Sequence, residues 1–438
     1  MALSLPYWLV QMLRHGKYRR GLAERLGRVP LRIEMSAKEV ESGSFSPARV
    51  IWVHAVSVGE IIAVGGLIAS LRARFPRHKV YISTTTDTGQ AMAQKRFGRE
   101  NVFYFPLDFA FAIRPYLRML RPELVVIAET EFWPNFLRLA NANGARIAIV
   151  NARISDRSWP NYRRFRWLLR RVLSDVTLFL AQTDEDAARL RAIGAAENRI
   201  KVTGNLKFDA AIPDSLPIVE DLRRSFAETS AGPVLVCGST AEGEEPQLLK
   251  AFESLLPSHP RAVMILAPRH PERFAPVEAL LQKTNVRFCR RSLWKGEALT
   301  GSVMLVDAMG ELAALYRLAD VAFVGGSLVP HGGHNIIEPA QYGAAIVVGN
   351  YTENFRDIVS LFQSRDAVRI AASAELPWVF TDLFDHPEER IALGRRAAET
   401  LRLQTGATER TLEAVANLLT SFAMPRPPEA VEPATPLK

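Results

Sequence analysis

The alternation of short β-rich runs with longer helical patterns is the feature that most constrains the fold of this chain. Runs of β-branched and aliphatic residues occur at 50–53, 80–83, 124–127, 147–150 and 177–180, and again at 234–236, 263–266, 303–306, 321–324 and 346–348. Repeated strand–helix units are typical of α/β folds with parallel sheets. An interruption at residues 204–214 divides the pattern and predicts two doubly wound, Rossmann-like domains, each with a five-stranded sheet.

The domain boundaries follow from this interruption. We expect an apolar and basic segment at 1–30, a first domain at 31–208, a second domain at 215–400, a last helix at about 387–422 whose end forms a C-terminal helix at 401–423, and a disordered tail at 424–438 with five prolines. Ligands of doubly wound domains bind at the carboxyl ends of the strands. We therefore expect function to reside in the loops after strands and in a central cleft between the two domains.

The charge of the chain indicates an anionic partner. The chain has 55 lysines and arginines against 46 aspartates and glutamates, and its net charge is +9. This excess suits a phosphorylated ligand, an acidic lipid surface or nucleic acid. The only cysteines, Cys237 and Cys289, are too few for a disulfide framework or a cysteine metal site, and they indicate a reducing compartment.

The N-terminal segment suggests contact with a membrane. Residues 1–13 are apolar but fewer than the ~20 needed to span a bilayer, and no small-residue cleavage site follows them. A basic stretch up to Arg28 comes next. This combination is typical of an interfacial membrane anchor. A buried first helix with a solvated basic face is an equally good interpretation.

Acidic residues follow two strands of the first domain. Glu60 stands at the start of a predicted helix, where the helix dipole keeps a carboxylate ionised, as a general base requires; glutamate is also common there without any catalytic role. Glu129 and Glu131 follow the run at 124–127. They could bind sugar hydroxyls or orient a base, or they could cap the helix that begins near Pro134.

Two loops of the second domain could hold an anion. Ser239 and Thr240 follow Gly238 at a strand–turn–helix junction, where backbone N–H groups and hydroxyls can cradle a phosphate. Arg269 and His270 stand at the end of the next strand and could pair with a phosphate or a carboxylate, although such a pair is often an ordinary surface turn. Neither loop has a Walker or G-x-G-x-x-G sequence, so neither indicates an ATP or NAD site.

A glycine-rich loop at 325–340 is the most informative segment of the second domain. Its glycines, Gly326 among them, allow close approach of a ligand to the backbone beside Ser327. Asn335 and Glu338 could form a capping box, and Glu338 could also accept hydrogen bonds from ribose hydroxyls. His331 and His334 lack an evident third ligand and are poor candidates for a zinc site.

A basic and aromatic stretch at 163–171 lies in the first domain. It contains five arginines together with Phe165 and Trp167. Single-stranded nucleic acid, lipid phosphates and a simple solvated face all suit this composition. The sequence has no RNA-binding signature elsewhere.

These motifs together resemble those of the 3-deoxy-D-manno-octulosonic acid (Kdo) transferases of lipopolysaccharide synthesis. The matching stretches are 52–60, 129–135, Gly204-Asn205-Leu206-Lys207-Phe208-Asp209, 238–245, 267–273, 307–312 and 325–340, in the family's order. The resemblance implies a GT-B glycosyltransferase that inverts configuration, needs neither metal nor cofactor, and moves Kdo from CMP-Kdo to a lipid A precursor, lipid IVA. It also implies the cytoplasmic face of the inner membrane as location, and no nucleic-acid partner.

The resemblance also implies roles for individual residues. Glu60 would be the base that deprotonates the acceptor hydroxyl, and Glu131, or alternatively Glu129, would assist it. The donor would be surrounded by residues of the second domain, namely Ser239, Thr240, Arg269, His270, Gly326, Ser327, Asn335 and Glu338. Two departures from the family pattern matter: the apolar N-terminal segment is short, which favours monotopic attachment, and the usual Gly-Pro is replaced at Gly349-Asn350, so residues 349–355 receive no role.

Two other functions are compatible with the same residues. One is a GT-B transferase or epimerase that acts on a UDP-sugar. The other is a non-catalytic protein that binds polyanions or membranes through its basic faces. Titration with CMP and with UDP distinguishes the first, and the effect of Glu60→Ala on activity distinguishes the second.

Overall fold

The structure is a computed structural model, which describes residues 20–42, 49–156, 158–209 and 216–420. The chain divides into two compact units, Met1–Ala210 with Thr405–Lys438, and Ala211–Gln404. The apolar segment at 1–13 and the proline-rich tail at 424–438 lie outside the described residues. Within those residues, no helix is both long enough and apolar enough to cross a membrane.

The first unit is built on a seven-stranded parallel sheet. Its strands are β1 (Arg49–His54), β2 (His78–Thr84), β3 (Val102–Tyr104), β4 (Leu124–Ala128), β5 (Arg146–Ala152), β6 (Leu178–Ala181) and β7 (Ile200–Val202), in the order β3-β2-β1-β4-β5-β6-β7. Its helices are Leu22–Arg25, Leu31–Ser42, Val58–Arg74, Asp87–Phe97, Ala110–Leu120, Pro134–Ala142, Trp159–Arg164, Arg166–Leu173, Asp184–Ala192 and Ala407–Thr420, with 3-10 turns at Arg99–Asn101, Glu197–Arg199 and Leu206–Asp209.

The second unit repeats this architecture. Its strands are β8 (Val234–Thr240), β9 (Val263–Pro268), β10 (Arg287–Arg290), β11 (Ser302–Leu305), β12 (Val321–Val324), β13 (Ala345–Val348) and β14 (Arg369–Ile370), in the order β10-β11-β9-β8-β12-β13-β14, all parallel. Its helices are Pro217–Thr229, Glu245–Leu255, Phe274–Leu281, Leu312–Leu315, Ile337–Ala340, Arg356–Ser364, Leu376–Asp385 and Pro387–Gln404, with 3-10 turns at Pro271–Arg273, Arg291–Leu293, Tyr316–Leu318, Glu353–Phe355 and Ser373–Glu375.

The predicted α/β class with two parallel sheets is confirmed, but the predicted number of strands was wrong. Each sheet has seven strands instead of five, and the additional ones are β3, β7, β10 and β14. All four lie at the edges of their sheets. They are two to four residues long; β10 begins and ends with arginine and β14 has only two residues, so neither forms the continuous apolar run that indicates a central strand.

Each sheet buries side chains on both of its faces. In β1, Trp52 packs into one core with Phe103 and Phe136, whereas Ile51 and Val53 pack into the core on the opposite face. This alternation is what a strand covered by helices on both sides requires.

The residues before β1 are integrated into the first unit. Arg25, part of the basic stretch of the N-terminal segment, is buried; its guanidinium donates to the Thr85 carbonyl (2.6 Å) and lies over the Tyr104 ring. Glu24 accepts a hydrogen bond from the Tyr104 backbone N–H (2.9 Å). The described end of the predicted 1–30 segment therefore packs on the sheet.

The prediction of one continuous last helix was wrong. The helix Pro387–Gln404 ends in the second unit, and a separate helix, Ala407–Thr420, packs on the first unit. Gly406 separates them with φ +90°, and its N–H donates to the Asp209 carboxylate (2.7 Å). A glycine with positive φ ends a helix readily because it has no Cβ.

Candidate functional site

The strand order of each unit locates its candidate site. In the first unit β2 and β4 flank β1, and in the second unit β9 and β12 flank β8, so successive connections leave in opposite directions at these points. Loops at such a switch point diverge and leave a crevice for ligands. The loops after β1 and β4 carry Glu60, Glu129 and Glu131, and those after β8 and β12 carry residues 239–245 and 325–338.

Glu60 is held by the turn that begins the helix Val58–Arg74. Ser57 is the N-cap, and its hydroxyl oxygen accepts from the Glu60 backbone N–H (3.4 Å). The Glu60 carboxylate in turn accepts from the Val56 backbone N–H (2.7 Å) and from the Ser57 hydroxyl (2.9 Å). This reciprocal capping fixes the rotamer of the buried Glu60 side chain.

Glu129 and Glu131 do not cap the helix Pro134–Ala142. The amides of Asn135 and Phe136 donate instead to the Asp108 carboxylate (3.1 and 2.7 Å), from the loop after β3. Asp108 is a residue that the sequence analysis missed. The capping interpretation of the two glutamates was therefore wrong, and both carboxylates are left for another role.

Glu129 is placed by an unusual backbone conformation. Its φ is +56°, and its backbone N–H donates to the Val150 carbonyl (2.9 Å). Its carboxylate pairs with Lys207 at 3.2 Å. A non-glycine residue with positive φ is strained, and such strain concentrates at functional sites.

The three glutamates form one electrostatic cluster. Burial and the charges of Glu129 and Glu131 together raise the pKa of Glu60 to about 7, against the opposing hydrogen bonds from Val56 and Ser57. Burial, followed by the charge of Glu129, also raises the pKa of Glu131 to about 7. Burial and like charges outweigh the helix dipole, so the pKa of Glu60 is raised instead of lowered, and the carboxyl is only partly ionised near neutral pH.

In the second unit, Ser239 and Thr240 end β8. Ser239 has φ +55°, which turns the chain toward the helix Glu245–Leu255. The Thr240 hydroxyl is fully buried and donates to Glu245 (3.1 Å), whose second oxygen accepts from Arg273 (3.2 Å). The Thr240 hydroxyl is thus engaged within the protein.

Glu244 is a second residue that the sequence analysis missed. One of its carboxylate oxygens accepts from the backbone N–H groups of Ala241 and Gly326, and the other from those of Ser327 and Leu328, all at 2.7–2.8 Å. The side chain is fully buried. Glu244 therefore ties the loop after β8 to the glycine-rich loop after β12, and it occupies amides that could otherwise hold a phosphate.

The glycine-rich loop is packed very closely. Gly326 has φ +70°, and a Cβ there would lie 2.9 Å from the His334 ring. The Ser327 hydroxyl is fully buried; it donates to the Val324 carbonyl (2.6 Å) and accepts from the Gly349 N–H (2.8 Å). A Cβ on Gly349 would lie 2.0 Å from the Ser327 carbonyl oxygen. Only glycine can stand at these two positions without rearrangement.

Asn335 and Glu338 interact without forming a capping box. The Asn335 amide donates to the Glu338 carboxylate (3.3 Å), and its oxygen accepts from the Ile337 N–H (3.2 Å). The residue at the N-cap position is Ile336. Burial raises the pKa of Glu338, while Asn335 and the positive charge of Arg269 oppose the rise.

Basic groups converge around His334. Burial, together with the charges of Arg269, His331 and His270, lowers the pKa of His334 to about 4. Arg269 therefore lies near enough to influence the pKa values of both His334 and Glu338. Among the described residues, no group of three histidine, cysteine, aspartate or glutamate side chains could hold a metal ion.

Comparison with solved structures defines the class of this protein. Its fold is similar to that of a putative UDP-N-acetylglucosamine 2-epimerase from Listeria monocytogenes, with a TM-score of 0.57, 13% identity, and 86% of this chain and 98% of that chain covered. Two parallel seven-stranded Rossmann-like sheets with these strand orders are the GT-B fold.

Sequence comparison identifies the family. The family model of 3-deoxy-D-manno-octulosonic-acid transferase (kdotransferase) matches residues 20–210. The 3-deoxy-D-manno-octulosonic acid transferase of Haemophilus influenzae is 34% identical, with 91% of each chain covered, and that of Bordetella pertussis is 37% identical, with 86% of this chain and 90% of the relative covered. The chain belongs to the Kdo transferase family and is a glycosyltransferase.

Proposed function

We propose that this glycosyltransferase moves Kdo from CMP-Kdo to lipid IVA with inversion of configuration, at the cytoplasmic face of the inner membrane, and that Glu60 is its general base. The observation that carries the proposal is the cluster of Glu60, Glu129 and Glu131 at the switch point of the first sheet. A general base is most effective when its pKa lies near the working pH, and the pKa of Glu60 is about 7.

The proposed reaction is a direct displacement. The Glu60 carboxylate takes the proton of the acceptor hydroxyl while the acceptor oxygen forms a bond to the anomeric carbon of Kdo. The bond between that carbon and the phosphate oxygen of the donor breaks, and CMP leaves with the electron pair. Glu131 holds the acceptor hydroxyl or shares its proton, because its pKa lies close to that of Glu60.

We propose that the second unit binds the donor. Arg269 supplies positive charge and His270 a ring N–H for the donor phosphate and carboxylate, and Ser239 supplies a hydroxyl at the end of β8. Glu338 accepts hydrogen bonds from the ribose hydroxyls, and Asn335 lies beside it around CMP, as the resemblance to the family implies. Gly326 gives the donor close access to the backbone.

Thr240 and Ser327 have a different place in this proposal. Their hydroxyls are engaged with Glu245 and with Val324 and Gly349, respectively. We assign them to positioning the loops around the donor instead of contacting it. Thr240 and Ser327 therefore remain part of the proposed donor site, but they act by holding its backbone in place.

The test compares Glu60→Gln with a matched control. Asp186 has the same reciprocal capping as Glu60, since it bonds to the Thr183 hydroxyl through both its N–H and its carboxylate at the start of the helix Asp184–Ala192. We expect Glu60→Gln to retain CMP binding and to lose turnover by ~10²–10⁴-fold, typical of a general base. We expect Asp186→Asn to retain turnover. This result would show that the loss in Glu60→Gln is not caused by weaker capping of a helix.

Product analysis tests the substrates. Incubation with CMP-Kdo and a tetra-acylated lipid A precursor, followed by mass analysis, should yield the acceptor with added Kdo. Tight binding of UDP without any binding of CMP would contradict the proposal and indicate an enzyme that uses a UDP-sugar. Equal turnover of Glu60→Gln and the unchanged protein would remove Glu60 from the mechanism.

A further inference from the structure

The helices Trp159–Arg164 and Arg166–Leu173 present an exposed surface that the proposed chemistry does not use. We call it the arginine–tryptophan face; it consists of Arg163, Arg164, Phe165, Arg166, Trp167, Leu168, Arg170 and Arg171. The opposite sides of the helices pack on the core of the first unit through Tyr162, Leu169 and Val172. Trp167 is 73% exposed, and Phe165 and Leu168 are each 49% exposed.

The five arginines of this face have no acidic partner among the described residues. Nearby arginines do have one: Arg189, for example, pairs with Asp156 at 2.6 Å. Arg164 lies over the Phe165 ring at 5.8 Å. Arginines clustered without acidic residues repel one another, so the face gains stability when an anion binds to it.

A cavity of about 650 Å³ lies beside Trp167. Four arginines line it, namely Arg166, Arg170, Arg191 and Arg199. Two of them are already engaged, since Arg191 pairs with Glu197 at 3.3 Å and Arg199 donates to the Ser174 carbonyl at 2.8 Å. Of these four, only Arg191 has a carboxylate partner among the described residues, so the charges of Arg166, Arg170 and Arg199 are left for an incoming anion, next to the exposed indole of Trp167.

We propose that the arginine–tryptophan face binds a membrane surface rich in anionic lipids. The arginines bond to headgroup phosphates, and Trp167 and Leu168 enter the interfacial layer. Basic residues beside exposed aromatic and aliphatic side chains are typical of protein surfaces that bind anionic membranes. A stacking site for single-stranded nucleic acid would use the rings and arginines but not the exposed leucine.

This surface adjoins the carboxylate cluster through a single helix. Tyr162, on the inner side of the helix Trp159–Arg164, contacts the Phe132 ring at 5.8 Å between centroids, and Phe132 follows Glu131 directly. Burial, and after it the charge of Glu131, raises the pKa of Tyr162. Given the proposed function, a lipid acceptor could thus present its sugar to Glu131 while its acyl chains stay in the bilayer.

Vesicle binding of the full chain tests this inference. Binding is measured by flotation with vesicles of phosphatidylcholine alone and with 30% phosphatidylglycerol, at low and at high salt. We expect the double variant Arg166→Gln/Arg170→Gln to bind anionic vesicles about thirtyfold more weakly, because each basic residue near such a surface contributes about fivefold. Salt should weaken binding of the unchanged protein by screening.

Matched controls come from the second unit. Trp378 is 70% exposed, so Trp378→Ser is compared with Trp167→Ser. The exposed pair Arg261 and Arg395 gives the control Arg261→Gln/Arg395→Gln, with the same change of charge. We expect only the variants of the arginine–tryptophan face to lose affinity. CMP binding is measured on every variant and should not change, so a failure of the donor assignment remains separate from a failure of this inference.

Three results would overturn the inference. The first is equal vesicle affinity of the two double-arginine variants. The second is equally tight binding of the unchanged protein to neutral vesicles. The third is tighter binding to a single-stranded RNA 12-mer than to vesicles, lost in Trp167→Ser, which would assign the face to nucleic acid.

Discussion

Replacing Glu60 by glutamine is expected to stabilise the folded protein at alkaline pH, apart from its effect on catalysis. The ordinary pKa of a glutamate carboxyl is 4.5, whereas the pKa of Glu60 in the folded protein is about 7. A carboxyl whose pKa is higher in the folded protein stabilises the fold fully at pH values below the pKa of the unfolded chain. This contribution is lost as the pH rises through the pKa of the folded protein. Above pH 7, ionisation of Glu60 therefore costs the folded state about 3 kcal/mol.

Glutamine keeps the shape of the side chain and does not ionise. The variant should therefore gain about 3 kcal/mol relative to the unchanged protein at pH 8 and about 1 kcal/mol or less at pH 5. The assay is urea unfolding at both pH values, followed by hydrogen exchange in peptides from β1 and β4. An equal gain at both pH values, or a loss at pH 8, would contradict the assigned electrostatics.

Three further outcomes are expected. Glu129→Gln should move the acidic limb of the rate profile to lower pH, because the charge of Glu129 raises the pKa of Glu60; an unmoved limb would count against the cluster. Gly326→Val should abolish CMP binding in calorimetry without unfolding the first unit, because its Cβ meets the His334 ring; unchanged affinity would refute this. Glu244→Gln should weaken CMP binding at least ~tenfold, since an amide nitrogen cannot accept the two N–H bonds made by one carboxylate oxygen; retained affinity would show that the two loops hold without it.

The sequence pattern predicted the central strands but not the edges of the sheets. Central parallel strands are buried on both faces and form continuous apolar runs, as in β4 and β9. Edge strands lack this requirement: β10 begins and ends with arginine, and β14 has two residues. The break at Gly406 escaped prediction because the apolar pattern continues on both sides of it.

The sequence indicates candidate site residues but not the contacts that hold them in place. Glu60 and Glu131 stand in local motifs that can be seen in the sequence, whereas Asp108 and Glu244 act on backbone groups far along the chain. The Asp108 carboxylate reaches Phe136, and that of Glu244 reaches Leu328. Contacts across such separations follow from the fold and leave no local pattern. The raised pKa of Glu60 escaped prediction for the same reason, because it depends on burial in the fold and on Glu129, which follows another strand.

The clasp of Asp209 on Gly406 and Thr408 has a consequence for synthesis of the protein. Because Ala407–Thr420 completes the hydrophobic core of the first unit, the whole second unit is an insertion within the chain of the first. Nearly the entire polypeptide must therefore be synthesised before the hydrophobic core of the first unit can be completed. A chain that terminates within the last turns of Ala407–Thr420 would leave the core of the first unit incomplete, although the second unit could already be folded.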